Sequence, residues 1–247
     1  MLRSVYCEAK RYLAFEELEE IPFVFHLFTI KQSGPPILPS NRKFETNTLL
    51  NCLHRSGNVV ALHQQHGKLI HSVDRINFGQ SWEGDGLITG VPGLLLTVQT
   101  ADCLPILLVD IKKKLVGNLH AGWRGTLANI TGTAIKMVVE QGSDVNDLLL
   151  AFGPSIGSCC YEVGPEVEVA FREKFTEADS FFLARPQRQR KTLDLRKANY
   201  AQATQLGLKP NQILWNAYCT HCDSDMFFSY RREGARTGRM FALVGIQ

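Results

Sequence analysis

The chain has 247 residues, 45% hydrophobic and 21% charged, the balance of a globular protein rather than a disordered or fibrous one. A chain of this length buries roughly 70–75% of its unfolded surface, so size alone demands neither disulfides nor a structural metal. With 27 Lys plus Arg against 24 Asp plus Glu, the net charge is only +3. No basic stripe interleaved with aromatics appears, which argues against a nucleic-acid partner.

The opening MLRSVYCEAKRYLAFEE has no apolar stretch before its charges resume, so no signal peptide is read. No run of about 20 apolar residues predicts a transmembrane helix. The expectation is a cytoplasmic protein with no membrane partner. The first 20 residues predict a terminal strand and a short acidic turn. Residues 21–30 predict a strand, and 32–42, with Gly, Ser and three Pro, a loop. Residues 46–55 predict a helix with Leu49, Leu50 and Leu53 on one face. Strands are expected at 58–63 and 67–73, around Gln64-Gln65-His66-Gly67, and a polar loop at 77–86. Residues 87–89, 94–99, 106–110 and 115–119 are short apolar strands, the last two a hairpin about Lys112-Lys113-Lys114. Helices are expected at 126–141, 166–174 and 191–207, and strands at 148–152, 213–217 and 240–244. No repeat and no composition break divides the chain, so one domain over 1–247 is expected. Short strands mixed with helices around a hairpin favour α+β, or a mixed α/β sandwich, over a doubly wound parallel sheet.

Three polar segments sit at strand ends, where a rigid scaffold presents functional groups. They are Gln65-His66-Gly67, Ala101-Asp102-Cys103-Leu104-Pro105 and His120-Ala121-Gly122-Trp123-Arg124-Gly125. His66, Cys103 and His120 make a His₂Cys set, and three protein ligands with one open position is the arrangement of catalytic zinc. The spacing matches no short metal signature. A cysteine hydrolase with Cys103 as nucleophile and His120 as base, acting on an amide bond such as one in a cell-wall precursor, is the local rival. Arg124, between glycines, offers a fork to phosphate or carboxylate. Arg231 and Arg232, with Arg239, form a second cationic cluster. Seven cysteines, an odd number, speak against a full disulfide framework. Cys219-Thr220-His221-Cys222 is half of a zinc-ribbon signature, and the adjacent Cys159 and Cys160 are not expected to supply the other half.

Together the three segments resemble the YfiH-type family, also called the laccase-domain or polyphenol oxidoreductase laccase family. The resemblance runs from about residue 58 to 239. It includes Q-x-H-G at His66, A-D-C-x-P at Cys103 and H-A-G-W-R-G at His120. I-G-x-C-C-Y-E-V-G at 156–164, D-L-x-x-A-N at 194–199 and F-F-S-Y-R-R with T-G-R at 227–239 extend it. It implies a YfiH-like fold of layered sheets with flanking helices. It implies that His66, Cys103 and His120 are zinc-binding and active-site positions. The implied activity is phosphorolysis of adenosine, inosine and 5'-methylthioadenosine, with deamination of adenosine. Purine nucleosides and phosphate are then the partners, and no obligate protein partner is implied. Multicopper phenol oxidation is less compatible with seven singly scattered histidines, so Zn²⁺ is expected before copper. Asp102 and Asp85 are the carboxylates at hand for proton transfer, with Asp102 counted in the catalytic set. Arg124, Arg231 and Arg232 are expected to position phosphate. The family's early T-R-x-G-G segment is replaced by Phe28-Thr29-Ile30-Lys31-Gln32-Ser33-Gly34, where Lys31 stands in for the missing arginine. A non-catalytic or regulatory member that kept the pocket but lost this arginine is the third alternative.

Overall fold

Strand after strand in this chain is short, apolar and bounded by glycine or polar turns, which suits stacked sheets. The computed structural model describes residues 1–7, 10–33, 58–184 and 190–247. The chain opens with β1 (Leu2–Cys7) and β2 (Lys10–Phe15), then a single turn α1 (Glu16–Glu19) and β3 (Val24–Thr29). It continues through β4 (Asn58–His63), β5 (Ile70–Ser72), β6 (Trp82–Glu83), β7 (Gly86–Thr89), β8 (Leu94–Thr100), β9 (Leu104–Asp110) and β10 (Leu115–Ala121). Two helices follow, α2 (Trp123–Leu127) and α3 (Ile130–Glu140), then β11 (Leu148–Phe152) and α4 (Pro165–Lys174). The remainder comprises β12 (Phe182–Leu183), β13 (Thr192–Leu193), α5 (Leu195–Gln205), β14 (Ile213–Leu214), α6 (Tyr230–Glu233) and β15 (Met240–Ile246).

The architecture is mixed α/β, with two layered sheets and flanking helices. One sheet has the order β1-β2-β3-β15-β8-β4-β6 and the other β14-β11-β9-β10-β7-β5. The two-residue period of β9 explains the layering. Leu107 and Val109 share a core with Leu96, Val98, Ala242 and Val244 of the first sheet. Ile106 and Leu108, one step out of phase, share a core with Ile130, Ala134 and Val138 of α3, Phe171 of α4 and Ala198 of α5. All seven residues of β9 are buried, so it reads as a continuous apolar run. Truncating Leu108 to Ala would cost about 2–5 kcal/mol.

The central hairpin forms as expected, with Val109 opposite Val116, and pairing runs beyond the predicted ends to His120↔Pro105 and Ala121↔Leu104. That extension carries His120 to the mouth of the Cys103 turn. Elsewhere the predicted elements are corrected. The helix expected at 126–141 is two helices, because Asn129 adopts a left-handed φ of 66° and its side chain accepts from Gly132 N–H, capping α3. The helix expected at 191–207 begins only at Leu195, where Asp194 caps it by accepting from Lys197 N–H. Thr192 and Leu193 instead pair with β12. Leu2–Cys7 and Lys10–Phe15 pair as two antiparallel strands rather than forming one. The loop expected at 77–86 contains β6. The helix expected at 46–55 and most of the loop expected at 32–42 lie outside the described residues, as do the side chain of Cys7, and Cys52. Among the described residues no helix is long and apolar enough to cross a membrane.

Candidate active site

The topology brings the three polar segments to one edge. β4 runs parallel to β8, so the residues that follow both strands emerge on the same side. β10 runs antiparallel to β9, so its end meets the start of β9, one residue after Cys103. The potential ligand atoms of His66, Cys103 and His120 all lie within 4.8 Å of one another. The His66 and His120 rings meet edge-to-face with centroids 4.8 Å apart. His120 is buried, Cys103 half-buried and His66 exposed, so the set opens to solvent on the His66 side. A side chain at Gly122 would place its Cβ 3.1 Å from Cys103 Sγ and 3.3 Å from His66 Cδ2, so glycine is what lets the three groups close up.

Two carboxylates hold this geometry. Asp85 is wholly buried. Its Oδ1 accepts from His66 N–H (2.9 Å) and lies 2.8 Å from His120 Nδ1. Its Oδ2 accepts from Gly67 N–H (2.6 Å) and Gln65 N–H (3.2 Å). The same group therefore fixes the left-handed turn at His66 (φ 59°) and directs His120 Nε2 outward as the available ligand atom. Burial pushes Asp85 up, but His120 and the amides of Gly67 and His66 outweigh it and hold its carboxyl below the usual range. Asp102 adopts a strained φ of 93° and is pinned from three sides. Its Oδ1 accepts from Thr220 Oγ1 (2.6 Å), its Oδ2 from Arg231 N–H (2.7 Å), and its carbonyl from Ile156 N–H (2.9 Å). This sets the direction of the next residue, Cys103. Both Asp102 carboxylate oxygens are thus engaged, which fits positioning rather than proton transfer.

The electrostatics suit a cation. Burial raises the Cys103 thiol, yet His120 and His66 bring it down to about 6. Burial lowers His120, yet Cys103 and Asp85 lift it to about 9. Each group thus favours the charged form of the other, thiolate on Cys103 and imidazolium on His120. A His₂Cys set with a carboxylate behind one imidazole is a donor arrangement that fits Zn²⁺ with a coordination position left over.

These groups line a cleft of about 1020 Å³. Trp123, Tyr161 and Tyr230 add aromatic faces, and Arg124, Arg231 and Arg239 add positive charge. Arg124 stacks 4.4 Å from the Trp123 ring centre and Arg231 5.2 Å from that of Tyr161. Lys31 and Arg232 do not line the cleft. Lys31 Nζ donates to Ser224 O (2.9 Å) and Glu233 (3.2 Å). Arg232 is clamped by the carbonyls of Thr220, His221 and Phe227 and by Glu233. Both charges are spent fastening the 220–233 segment, so neither faces the cleft. Asp85, Trp123 and Tyr161 gain roles that sequence reasoning undervalued. The signal at Asp85 was a lone carboxylate between Gly84 and Gly86 inside a polar loop, too common a pattern to stand out.

The family model described as multi-copper polyphenol oxidoreductase laccase matches residues 40–247. Adenosine deaminase RL5, from an unknown prokaryotic organism, is 38% identical over 157 residues, covering 64% of this chain and 60% of that protein. A purine nucleoside phosphorylase of Bacteroides thetaiotaomicron is 34% identical over 184 residues, covering 74% of this chain and 64% of that protein. The matched stretch therefore spans somewhat less than two thirds of either relative. The crystal structure of YfiH from Bacillus licheniformis superposes with a TM-score of 0.87 at 28% identity, covering 100% of this chain and 99% of that one.

Proposed function

The chain belongs to the multi-copper polyphenol oxidoreductase laccase family, and we propose that it is a zinc-dependent purine nucleoside phosphorylase. The observation that carries the reading is the meeting of His66, Cys103 and His120 in a cleft that also offers aromatic faces and guanidinium groups. Adenosine, inosine and 5'-methylthioadenosine are the proposed nucleosides, with deamination of adenosine as a second activity, in keeping with the names of the two relatives. The proposal includes one domain over 1–247 and a cytoplasmic setting, where free thiols such as Cys103 persist.

Stacking on Trp123, Tyr161 or Tyr230 suits a purine, which has a broad apolar face and polar edges. Arg124, Arg231 and Arg239 suit phosphate, which they would hold by charge-assisted hydrogen bonds while it attacks C1' of the ribose. As the bond from C1' to the purine breaks, negative charge develops on the base. Burial and the Cys103 charge keep the Tyr161 phenol protonated, so its O–H is a donor for that charge. Asp85 and Asp102 hold His120 and Cys103 in place throughout. When bound by His66, Cys103 and His120, zinc supplies Lewis acidity, the property that deamination at adenine C6 by water requires.

A second reading has its own observation. Cys103, His120 and Asp85 are also in the order of nucleophile, base and orienting carboxylate of a cysteine hydrolase. One assay separates the two. Zinc-loaded protein should release hypoxanthine from inosine only when phosphate is present, and His66→Ala should lose both zinc and activity. Metal-free protein whose Cys103 is alkylated rapidly, with no phosphate-dependent release, would replace the phosphorylase reading with the hydrolase one.

A further inference from the structure

Four cysteines outside the cleft take no part in the chemistry above. The sequence offers Cys219 and Cys222 no obvious partner pair, because Cys159 and Cys160 are adjacent, yet the fold supplies one. The N–H groups of Cys160 and Tyr161 both donate to Gly157 O, at 2.9 and 3.0 Å, winding 157–161 into one helical turn. Neighbouring side chains on such a turn diverge by roughly 100°, so two adjacent sulfurs can face a common point. A bridge between Ser155 and Cys219, with Thr220 N–H donating to Ser155 O (3.1 Å), lays the second segment alongside. All four sulfurs lie within 4.8 Å of one another. Cys160 and Cys222 are 3.3 Å apart and Cys159 and Cys222 3.6 Å.

We propose that Cys159, Cys160, Cys219 and Cys222 bind one Zn²⁺ as a structural tetrathiolate site, separate from the His66–Cys103–His120 set. Tetrahedral zinc with sulfur at about 2.3 Å places its ligands about 3.8 Å apart, within the range seen here. A cluster of several irons holds its cysteines further apart than this. Four protein ligands leave no open position, which marks a structural rather than a catalytic ion. Soft thiolates select zinc over the hard cations.

The surroundings match a thiolate site. Gly157 N–H donates to Cys219 Sγ at 3.2 Å. A Cβ at Gly157 would fall 3.0 Å from Cys159 Sγ and 3.5 Å from Cys219 Sγ, so a larger residue would crowd the sulfurs. Arg196 is anchored by the carbonyls of Ser155, Asn216 and Tyr218 and lines the same small cavity as Cys159 and Cys219. A dication with four thiolates has two surplus negative charges, and the Arg196 guanidinium, in the same cavity, is a cation placed to screen them in part. Binding releases the thiol protons to solvent, with no change of oxidation state.

The ion ties 157–161 to 219–222. The first segment carries Tyr161 into the cleft. The second leads to Arg231, whose N–H binds Asp102 beside Cys103. The site is thus a staple behind one wall of the cleft.

The test is metal stoichiometry on the full chain, purified under reducing conditions, loaded with zinc and desalted. The wild type should hold two equivalents. His66→Ala/His120→Ala should hold one, with a zinc X-ray absorption first shell of sulfur alone, and its cobalt form should show intense sulfur-to-cobalt charge-transfer bands. Cys160→Ser/Cys222→Ser should retain the other equivalent. Should that variant fail to fold, the histidine variant decides, since it leaves all four cysteines in place. The wild-type absorption spectrum is a further check, because a single His₂Cys site gives two nitrogens for each sulfur and the two-site protein a sulfur-rich shell. A histidine variant that holds no zinc and whose thiols all react freely, or a Cys160–Cys222 disulfide in zinc-loaded wild type, would overturn the proposal. None of these readouts depends on nucleoside phosphorolysis.

Discussion

Replacing Asp85 by Asn removes one charge and about one side-chain oxygen's worth of acceptor, and the structure says what that disturbs. Each Asp85 oxygen accepts from two donors: Oδ1 faces His66 N–H and His120 Nδ1, and Oδ2 faces Gly67 N–H and Gln65 N–H. The amide NH₂ of Asn must confront one of these pairs. If it faces Oδ2's partners, the turn that presents His66 loses two hydrogen bonds to a charged acceptor, each worth about 1.5–3 kcal/mol. If it faces Oδ1's partners, His120 Nδ1 must become the acceptor. The ring proton then moves to Nε2, the atom left for the metal. Either outcome predicts a 10- to 100-fold loss of zinc affinity, the range for removing a carboxylate behind a ligating histidine. Competition with a chromogenic chelator measures this directly, and thermal unfolding with excess zinc separates it from global unfolding. D85N protein that binds zinc within about twofold of wild type would refute the role given to Asp85.

Zinc affinity should fall with acid, because the metal competes with protons on Cys103 and His120. With Cys103 at about 6 and His120 at about 9, binding releases one proton from this pair between those values and two below 6. Calorimetry in buffers of different ionisation enthalpy should report this, and a proton release of zero at pH 7.5 would contradict the pairing. Arg124→Gln should raise KM for phosphate about tenfold or more, with zinc content unchanged, since the guanidinium's stacking partner is Trp123 rather than a metal ligand; equal KM values would remove Arg124 from the phosphate site. His26 is buried, accepts from Phe15 N–H, and is lowered by burial to about 4. Its folded value lies below the ordinary histidine value of 6.5. Its contribution is therefore complete above 6.5 and is lost as pH falls toward 4, by about 3 kcal/mol. Urea unfolding at pH 7 and 4.5 should show a smaller acid loss in His26→Gln than in wild type, and identical losses would sink the assignment.

Local pattern revealed most strands because burial imposes its period directly. β9 reads as buried on both faces, and the hairpin with β10 follows from the lysine turn between them. The helix breaks were harder. Asn129 carries an ordinary side chain, and its left-handed turn follows from its bond to Gly132 N–H. Asp194 caps α5, but Leu193 and Leu195 on either side of it fit the period of a longer helix. At the site, residue chemistry and resemblance together singled out His66, Cys103 and His120, whereas Lys31 and Arg232 looked equivalent to Arg124 as charges. Only the fold distinguishes an arginine facing a cleft from one consumed by carbonyls. Cys159 and Cys160 were misjudged for a related reason. Adjacency in sequence says little about where two sulfurs point once a turn is wound.

Asp102 joins parts of the chain that are made at very different times. Its carboxylate partners lie 118 and 129 positions further on, at Thr220 and Arg231. During synthesis, His66, Cys103 and His120 all leave the ribosome well before either partner exists. Until then nothing on the carboxylate side compels residue 102 into its strained turn, and Cys103 is free to point elsewhere. Closing so long a loop is slow and entropically costly. The mutual geometry of His66, Cys103 and His120 is therefore a late product of folding, completed only when distant chain arrives, and an ion offered earlier would meet a differently shaped set of side chains.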